Sequence, residues 1–537
     1  MPKENILSVY LSHDASASYI DKTGNLKVLE YERFVKQRYG SFTRTMSDRE
    51  GLGTTDEQRR SFLEYIKADL KGEIDTILTS DPHMHDGELF DEIFPNVEYK
   101  TMLHHDAHAA SGYYTSDLDE ALIFSFDGGG YDLNNSITYT KGYIGVGGKI
   151  TEIGSYNRSL GIPYGHLAKC ISEIKAGPDC VDNSLVYSGK IMGLCGYGNV
   201  IEEWVEPINR FYNNDSHHYA GDYGALNRLG EEIGVDLKLN SVEGRVGYDL
   251  AATSQHVFEV LTLQLIERFI NTPDIAALKE KNVILVGGCA LNVLFNQRLS
   301  KILNNLGYKV FVPPYPNDCG LSLGQFLWHT RERVESNPYI GFDILDRDKL
   351  DTYVESRKAK KCSVKKLVDL IKDGKIIGIV QGQSEIGPRA LGNRSIICDP
   401  SIKDMKDILN AKVKFREWYR PFAPVCTMED SDKYFDDVFE SRFMSYAPSV
   451  KEEYRDVLPS ITHVDGTARL QTVSKNGHKL FYSILTELKN RNEIPVILNT
   501  SFNMRGYPIL TTIEDALAVL DTTEMDHVYV EGYLFSK

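Results

Sequence analysis

At 537 residues, with 42% hydrophobic and 25% charged residues, the chain has an ordinary globular composition and the length for more than one domain. Its net charge of −16 excludes a broad nucleic-acid-coating surface but leaves room for a local basic channel. No apolar run is long enough to span a bilayer, the start MPKENILSVYLSHDASAS has no signal-peptide pattern, and the eight cysteines lack CxxC spacing. A reducing cytoplasm is therefore expected, without membrane, disulfide framework or zinc knuckle. Richness in Lys, Asn, Ile and Tyr hints at an AT-rich coding genome.

In chain order, Ile6 to Leu11 reads as a strand entering the small polar turn Ser12 to Ser18, where His13 stands beside backbone amides open to a reacting group. Gly24-Asn25 predicts a hairpin turn and Leu26 to Tyr31 the returning strand; Glu57 to Leu70 is helical and Asp75 to Thr79 a buried strand. His104 and His108 are four residues apart, so on a helix both imidazoles share a face, as a metal ion requires. Such a pair also occurs for structural reasons, and a third ligand would decide between the two. Two carboxylates are candidates. Asp127 follows the apolar strand Ala121 to Phe126 and precedes three glycines, with Ile137 to Thr140 as the return strand. Asp318 follows Pro313 to Asn317 and opens the helical run Leu321 to Trp328, where it could equally act as a helix cap. Leu250 to Phe269 predicts a long helix. Val283 to Val286 is a strand running into Gly287-Gly288-Cys289-Ala290-Leu291-Asn292, a strand–glycine–helix corner suited to phosphate or nucleotide.

The stretch Asp346 to Lys366 is charged and poor in apolar residues, which places a domain boundary near residue 350. After the strand Ile376 to Val380 comes EIGPRALGNRSIICDPSIKDMKDILNAKVKFREWYRPFAP, from Glu385 to Pro424. It carries Arg389 and Arg394 in a glycine-containing turn, a brief helical pattern over Met405 to Asn410, then Lys412, Lys414, Arg416 and Arg420. In an extended segment the alternation of Lys412, Lys414 and Arg416 puts three cations on one face, and Arg and Lys both suit phosphate oxygens. A solvated basic face is the alternative reading. Further on, Asp465 to Val473 contains Arg469, Lys479 to Lys489 is helical, and the strand Pro495 to Leu498 ends in Asn499-Thr500-Ser501-Phe502-Asn503, placed to donate to phosphate or to make turn bonds.

The segments HHDAHAAS, SGKIMGL, GGCALN, EIGPRALGNRSI, NAKVKFREWYRPFAP, VDGTARLQTV and NTSFN, in that order from Leu7 to about Val528, resemble the ATP-dependent O-carbamoyltransferases that tailor nodulation factors and antibiotics. The resemblance implies an α/β protein with a duplicated actin/sugar-kinase-type domain over residues 1–350 and a YrdC-like α/β domain over 351–537. It implies that the second domain makes carbamoyladenylate from carbamoyl phosphate and ATP with Mg2+. Arg389, Arg394, Lys412, Lys414, Arg416, Arg420, Arg469, Asn499 and Ser501 would form that pocket, Lys414 and Arg420 being catalytic. The first domain would pass the carbamoyl group to a hydroxyl beside a divalent metal, iron, held by His104, His108, Asp127 and Asp318. There Lys190, Gly287, Gly288 and Asn292 would line the adenylate site and His13 would assist transfer. Ser188 and Cys195-Gly196 depart from the family pattern near Lys190.

Partners implied are the small-molecule co-substrates, a hydroxylated acceptor and, as an assembly, a homodimer. No motif spells the acceptor. A sugar or small metabolite stands first, and a hydroxymethylated pyrimidine, as nucleotide or in DNA, is the alternative suited to an AT-rich phage. For either cleft Tyr113, Tyr114, Tyr164 and His166 are candidates. A non-catalytic nucleotide-binding scaffold of sugar-kinase fold is a further alternative. Threonylcarbamoylation of tRNA is disfavoured by the acidic balance.

Overall fold

The computed structural model describes residues 4–42, 53–80, 87–132, 136–174, 184–213 and 223–537. The chain forms two compact units, Met1–Val35 with Tyr39–Ser336, and Lys36–Arg38 with Asn337–Lys537. The division falls ahead of the charged stretch beginning at Asp346.

Among the described residues the first unit holds two five-stranded sheets. The strands are β1 (Ile6–Tyr10), β2 (Ser16–Ile20), β3 (Leu26–Glu30), β4 (Thr76–Thr79) and β5 (Glu98–Thr101), then β6 (Glu120–Tyr131), β7 (Ile137–Val146), β8 (Lys149–Tyr156), β9 (Asn282–Val286) and β10 (Lys309–Phe311). The orders are β3-β2-β1-β4-β5 and β10-β9-β6-β7-β8. In each, three strands form an antiparallel meander and two parallel strands then add beside the first strand of that meander. Order and direction are thus the same twice over, as a duplicated α/β domain requires. The central strands are buried apolar runs, as strands covered on both faces are.

Two local features carry side chains to one place. β6 does not stop at Phe126 as its composition suggests. It runs on through Asp127-Gly128-Gly129-Gly130, with a register shift between Phe126 and Gly130 before pairing resumes at Gly130↔Thr138, so Asp127 sits in the irregularity. The helix His104–Tyr113 and the helix Leu321–Thr330 approach closely at Gly324, where a Cβ would strike the carbonyl of Ala107. That approach brings Asp318, in the 3-10 turn just before the second helix, toward the first turn of the other.

The second unit holds a mixed sheet of eight strands in the order β11-β20-β19-β12-β13-β18-β14-β17, with β15 and β16 paired separately. These are β11 (Lys360–Lys361), β12 (Ile377–Val380), β13 (Arg394–Cys398), β14 (Ala423–Thr427), β15 (Phe435–Asp436), β16 (Ser449–Val450), β17 (Gln471–Val473), β18 (Val496–Ser501), β19 (His527–Val530) and β20 (Tyr533–Ser536). Period-two alternation splits the strands between two cores. Ile377, Ile379, Ile397, Val425 and Ile497 pack with Leu367, Ile371, Phe481 and Leu485, from the helices Val364–Lys372 and Lys479–Asn490. Val380, Ile396, Cys398, Cys426 and Leu498 pack on the other face with Leu409, Ile513 and Leu517.

The extended face expected of Lys412, Lys414 and Arg416 does not exist. The helix Met405–Ile408 continues as a π-helical turn over Leu409–Val413, and Phe415 is left-handed at φ 47. Helical backbone spreads the three side chains: Lys412 is exposed, Lys414 is buried and Arg416 is half-buried.

Candidate active site

In the first unit one turn of helix and two carboxylates build a buried cluster. His104 and His108, on the same helix face, bring their Nε2 atoms to 3.2 Å. Asp127 Oδ2 lies 3.1 Å from His104 Nε2 and Asp318 Oδ1 lies 3.3 Å from His108 Nε2. The four side chains are buried and offer one ligand atom each within 4.8 Å of one another. The intervening His105 points away, its ring nitrogens 2.8 Å from Ser125 Oγ and 2.9 Å from the Thr138 carbonyl. Burial, then the neighbouring imidazoles, lowers its pKa to about 3, so it is a neutral structural histidine.

The electrostatics of the four are complementary. Burial by itself would lower the His108 pKa, but Asp127 and Asp318 outweigh it and push it up to about 9. Burial would raise Asp127, yet hydrogen bonds from His104 and His108 hold it well below the usual carboxylate range. Two carboxylates and two imidazole nitrogens, all buried and convergent, fit a divalent cation, and a cation there would take the place of the proton that His108 holds.

The surroundings fix these ligands. The Gly288 N–H donates to Asp127 Oδ1 at 2.6 Å. Gly287, at φ +95, packs its α-carbon where a Cβ would strike the Phe126 carbonyl, and a Cβ on Gly130 would enter the His104 ring. Tyr10 Oη donates to Asp318 Oδ2 at 2.6 Å, leaving Oδ1 turned to His108; this ligand-like placement excludes the capping role for Asp318. His13 Nε2 stands 3.6 Å from Asp318 Oδ2, and its Nδ1 lies 3.2 Å from Asp14 Oδ2, on a residue at φ 57. Burial opposes charge on His13, but Asp14 and Asp318 prevail and raise its pKa to about 9. Tyr10 and Asp14 escaped the sequence reading. A histidine followed by aspartate is the one visible signal for Asp14; nothing marks a strand tyrosine as the partner of a carboxylate 308 residues away.

The residues expected at an adenylate site are placed differently. The amides of Gly287 and Gly288 already donate, to the Pro316 carbonyl and to Asp127, so this corner supports the carboxylate. Asn292 caps the helix Val293–Asn304 and exchanges two amide hydrogen bonds with Gln255, at 3.0 Å each. Lys190 is buried on the helix Ser184–Leu194. Of the cleft candidates, His166 is buried, and Tyr113, Tyr114 and Tyr164 are buried with hydroxyls donating to Asp119 O, Gly148 O and Gln255 Oε1. They are packing residues.

In the second unit several buried cations crowd together. Burial and then Arg420 lower the Arg389 pKa to about 10; burial, then Arg389, Arg416 and Arg420, push Arg469 well below the arginine range. Arginine keeps its proton, so these shifts express first the cost of burying the charge and then mutual repulsion. Arg469 Nε is buried with no hydrogen-bond partner among the described residues. Arg416 lies over the Phe422 ring at 4.5 Å and donates to Asn410 Oδ1 at 2.7 Å. Glu417 Oε2 lies 3.5 Å from Arg420 Nη1.

Other expected members are engaged elsewhere. Arg394 is fully buried and donates to the carbonyls of Gln381, Gly382 and Asn393, which makes it a brace of the turn and no ligand-facing cation. Lys414 Nζ donates into the 501–503 turn, to Ser501 O at 2.6 Å and Asn503 O at 2.7 Å, with Ser501 Oγ at 3.3 Å. Asn499 Nδ2 donates to Ala390 O at 3.0 Å and Gln471 Oε1 at 2.9 Å. Glu385, unassigned from sequence, accepts the amides of Leu391 at 2.5 Å and Gly392 at 3.2 Å and so shapes the turn that presents Arg389.

No helix among the described residues is long and apolar enough to cross a membrane. Two family models match: Carbamoyltransferase N-terminus over residues 96–327 and Carbamoyltransferase C-terminus over 368–537. Nodulation protein NolNO of Sinorhizobium fredii is 32% identical, over 81% of this chain and 63% of its own length, so the chain spans less than two thirds of that relative. Nodulation protein NolO of Bradyrhizobium diazoefficiens is 32% identical, over 81% of this chain and 79% of its own length. Full-length HypF, solved in a phosphate- and nucleotide-bound form, aligns with 61% of this chain and 55% of its own at 14% identity and a TM-score of 0.36, too distant to argue from. With both family models matched in order and relatives at this level across most of the chain, the protein belongs to the carbamoyltransferase family and is a carbamoyl-transferring enzyme.

Proposed function

We propose that the enzyme uses ATP and carbamoyl phosphate to make carbamoyladenylate in the second unit, and transfers the carbamoyl group to a hydroxyl of a sugar or small polar metabolite in the first. The observation that carries the reading is the group Arg389, Arg416, Arg420 and Arg469: burial, and after it the neighbouring arginines, lower Arg389, Arg416 and Arg469, and Arg469 Nε has no hydrogen-bond partner among the described residues. Such a crowd suits an anion of several charges, and phosphoryl transfer spreads charge over several oxygens at once.

Cleavage of carbamoyl phosphate by water gives carbamate and phosphate. A carbamate oxygen then attacks the α-phosphorus of ATP and pyrophosphate leaves, the arginines bearing the charge that develops. In the first unit the acceptor oxygen bonds to the carbamoyl carbon, the bond to AMP breaks, and the hydroxyl proton passes to a base. His13 is the candidate for assisting transfer, and it can be that base only after losing the proton that Asp14 and Asp318 favour, a loss that a cation bound at Asp318 would promote. His104, His108, Asp127 and Asp318 would hold a divalent ion, iron by family resemblance, and such an ion would offset the negative charge of the departing AMP. Release of a labile adenylate favours having both steps on one chain.

Purified enzyme given both co-substrates should catalyse carbamoyl-phosphate-dependent ATP–pyrophosphate exchange. With a panel of sugars, aminoglycosides, hydroxymethylated nucleotides and hydroxymethylated DNA, it should add the mass of one carbamoyl group to a sugar or small metabolite. Absence of exchange would sink the first step. Carbamoylation of DNA alone, falling steeply with salt, would replace the proposed acceptor with the pyrimidine one.

A further inference from the structure

We infer that the margin of the second unit is a docking surface for an acidic, amphipathic segment of another protein, held where the stretch Lys358 to Lys366 meets the groove between the helices Val364–Lys372 and Lys479–Asn490. The stretch reads KAKKCSVKK, and its five lysines are all exposed. None of them makes an ion pair among the described residues. The cations around them are matched. Arg357 forks onto Asp521 at 2.9 and 2.6 Å, Lys372 lies 2.9 Å from Asp399, Lys375 lies 3.1 Å from Asp526, and Arg491 lies 2.7 Å from Asp369. Acids are therefore close by, yet they serve other partners, and five positive charges are left over in a chain of net charge −16.

Two of the five have a purely structural explanation. Lys360 and Lys361 make up β11, the outermost strand of the eight-stranded sheet, and lysine on an open edge discourages strand-on-strand aggregation. Lys365 and Lys366 have no such explanation. They are the second and third residues of the helix Val364–Lys372, whose first turn holds no acid, and a cation there opposes the helix dipole. Charge placed against the preference of its own helix, and left unpaired, suits a negative partner.

The groove beside Lys365 adds shape to that charge. It measures about 490 Å3, with Val364 and Lys365 contributed by one helix and Tyr482, Thr486, Glu487 and Asn490 by the other. Val364 and Tyr482 pack against the core yet stay half-exposed, so they offer apolar surface to a visiting side chain. Glu487 is neutralised by Arg491 Nε at 2.9 Å, which leaves Lys365 to set the charge of the groove. An amphipathic helix answers both features, with apolar residues at i and i+3 or i+4 entering the groove and acids beside them reaching the lysines. Nucleic acid fits less well, since it favours arginine forks and open aromatic faces, whereas every unpaired cation here is lysine and Tyr482 is packed against the core.

The test uses the full chain and fluorescence anisotropy. The probe is a labelled synthetic peptide rich in glutamate, with leucines at helical spacing. Its controls are the same peptide with serine for leucine and a duplex DNA of equal charge. The leucine peptide should bind at least about tenfold tighter than either control, with affinity falling steeply as salt is added. The double variant Lys365→Glu/Lys366→Glu should weaken it by about tenfold or more, and Thr486→Trp, which fills the groove without changing charge, should reduce it to the level of the serine peptide. Both changes lie on the surface, and an unaltered melting temperature shows that the fold is kept. Equal binding of the leucine and serine peptides to the wild type would reveal an ordinary basic surface and overturn the inference. Tighter binding of DNA, or no binding of the leucine peptide at low salt, would overturn it as well.

Discussion

The two candidate sites solve opposite electrostatic problems. In the first unit acids and bases are interleaved: His108 sits between Asp127 and Asp318 and each member steadies the other's charge. In the second, burial and then the charge of neighbouring arginines lower Arg389, Arg416 and Arg469, with Arg420 acting on all three. A compensated site is preformed and waits for a cation that replaces protons. A crowd of buried cations carries repulsion that an anionic substrate would relieve on binding, so binding energy goes to the multiply charged group that the chemistry concerns. The difference teaches that removing a residue should weaken structure and function together in the first unit and set them against each other in the second.

The largest effect should come from the double variant His104→Ala/His108→Ala. Metal analysis should fall from about one divalent ion per chain to none, and transfer should drop by about a thousandfold or more, while carbamoyl-phosphate-dependent exchange persists. Full metal occupancy in the variant would dissolve the compensated site. Next, Arg469→Ala should reduce exchange by about a hundredfold through loss of a charged hydrogen bond to phosphate. Its melting temperature without ligand should stay level or rise, since a like charge has gone; a clear drop would mean the repulsion is not felt.

Tyr10→Phe removes the hydroxyl that holds Asp318 Oδ2 and should weaken metal binding by about tenfold in chelator competition, with the fold retained. Unchanged affinity would show that Asp318 needs no such support. The smallest effect concerns pH. Burial, then Arg416 and Arg420, hold the Lys414 pKa well below its usual value, and a bound phosphate should raise it again. Affinity for carbamoyl phosphate is then complete below the lowered pKa and declines, by a few-fold, as pH rises through it. A binding profile flat across the alkaline range would place Lys414 out of reach of the ligand.

Much of the first unit was legible because its signals are local. Apolar runs located the strands, and spacing put His104 and His108 on one helix face. An aspartate at the end of a buried strand, before three glycines, marked Asp127 as a carboxylate open to a ligand. What stayed hidden depends on partners far apart in the chain. Gly287-Gly288 read as a phosphate corner because its free amides were assumed, yet Gly288 serves Asp127. Asn292, Arg394 and Lys414 have the right chemistry for ligands, and the fold engages them with Gln255, with backbone carbonyls and with the 501–503 turn. The alternation at Lys412, Lys414 and Arg416 misled because period two is evidence of a strand only where the backbone is extended, and here a π turn intervenes. The basic character of the stretch survived the error, because a cluster of arginines does not depend on which local conformation delivers it.

The repeated strand order of the first unit has a consequence for how the protein breathes. One plan is drawn at two lengths: β1, β2 and β3 have 5 residues each, whereas β6, β7 and β8 have 12, 10 and 8. More ladder bonds must open together in the longer meander, so in native-state deuterium exchange its amides should be among the slowest of this unit and those of β1 to β3 should label sooner. His13 and Tyr10 hang from the quick meander and Asp127 from the slow one. A partial opening would therefore loosen His13 and Tyr10 while Asp127 stays in place.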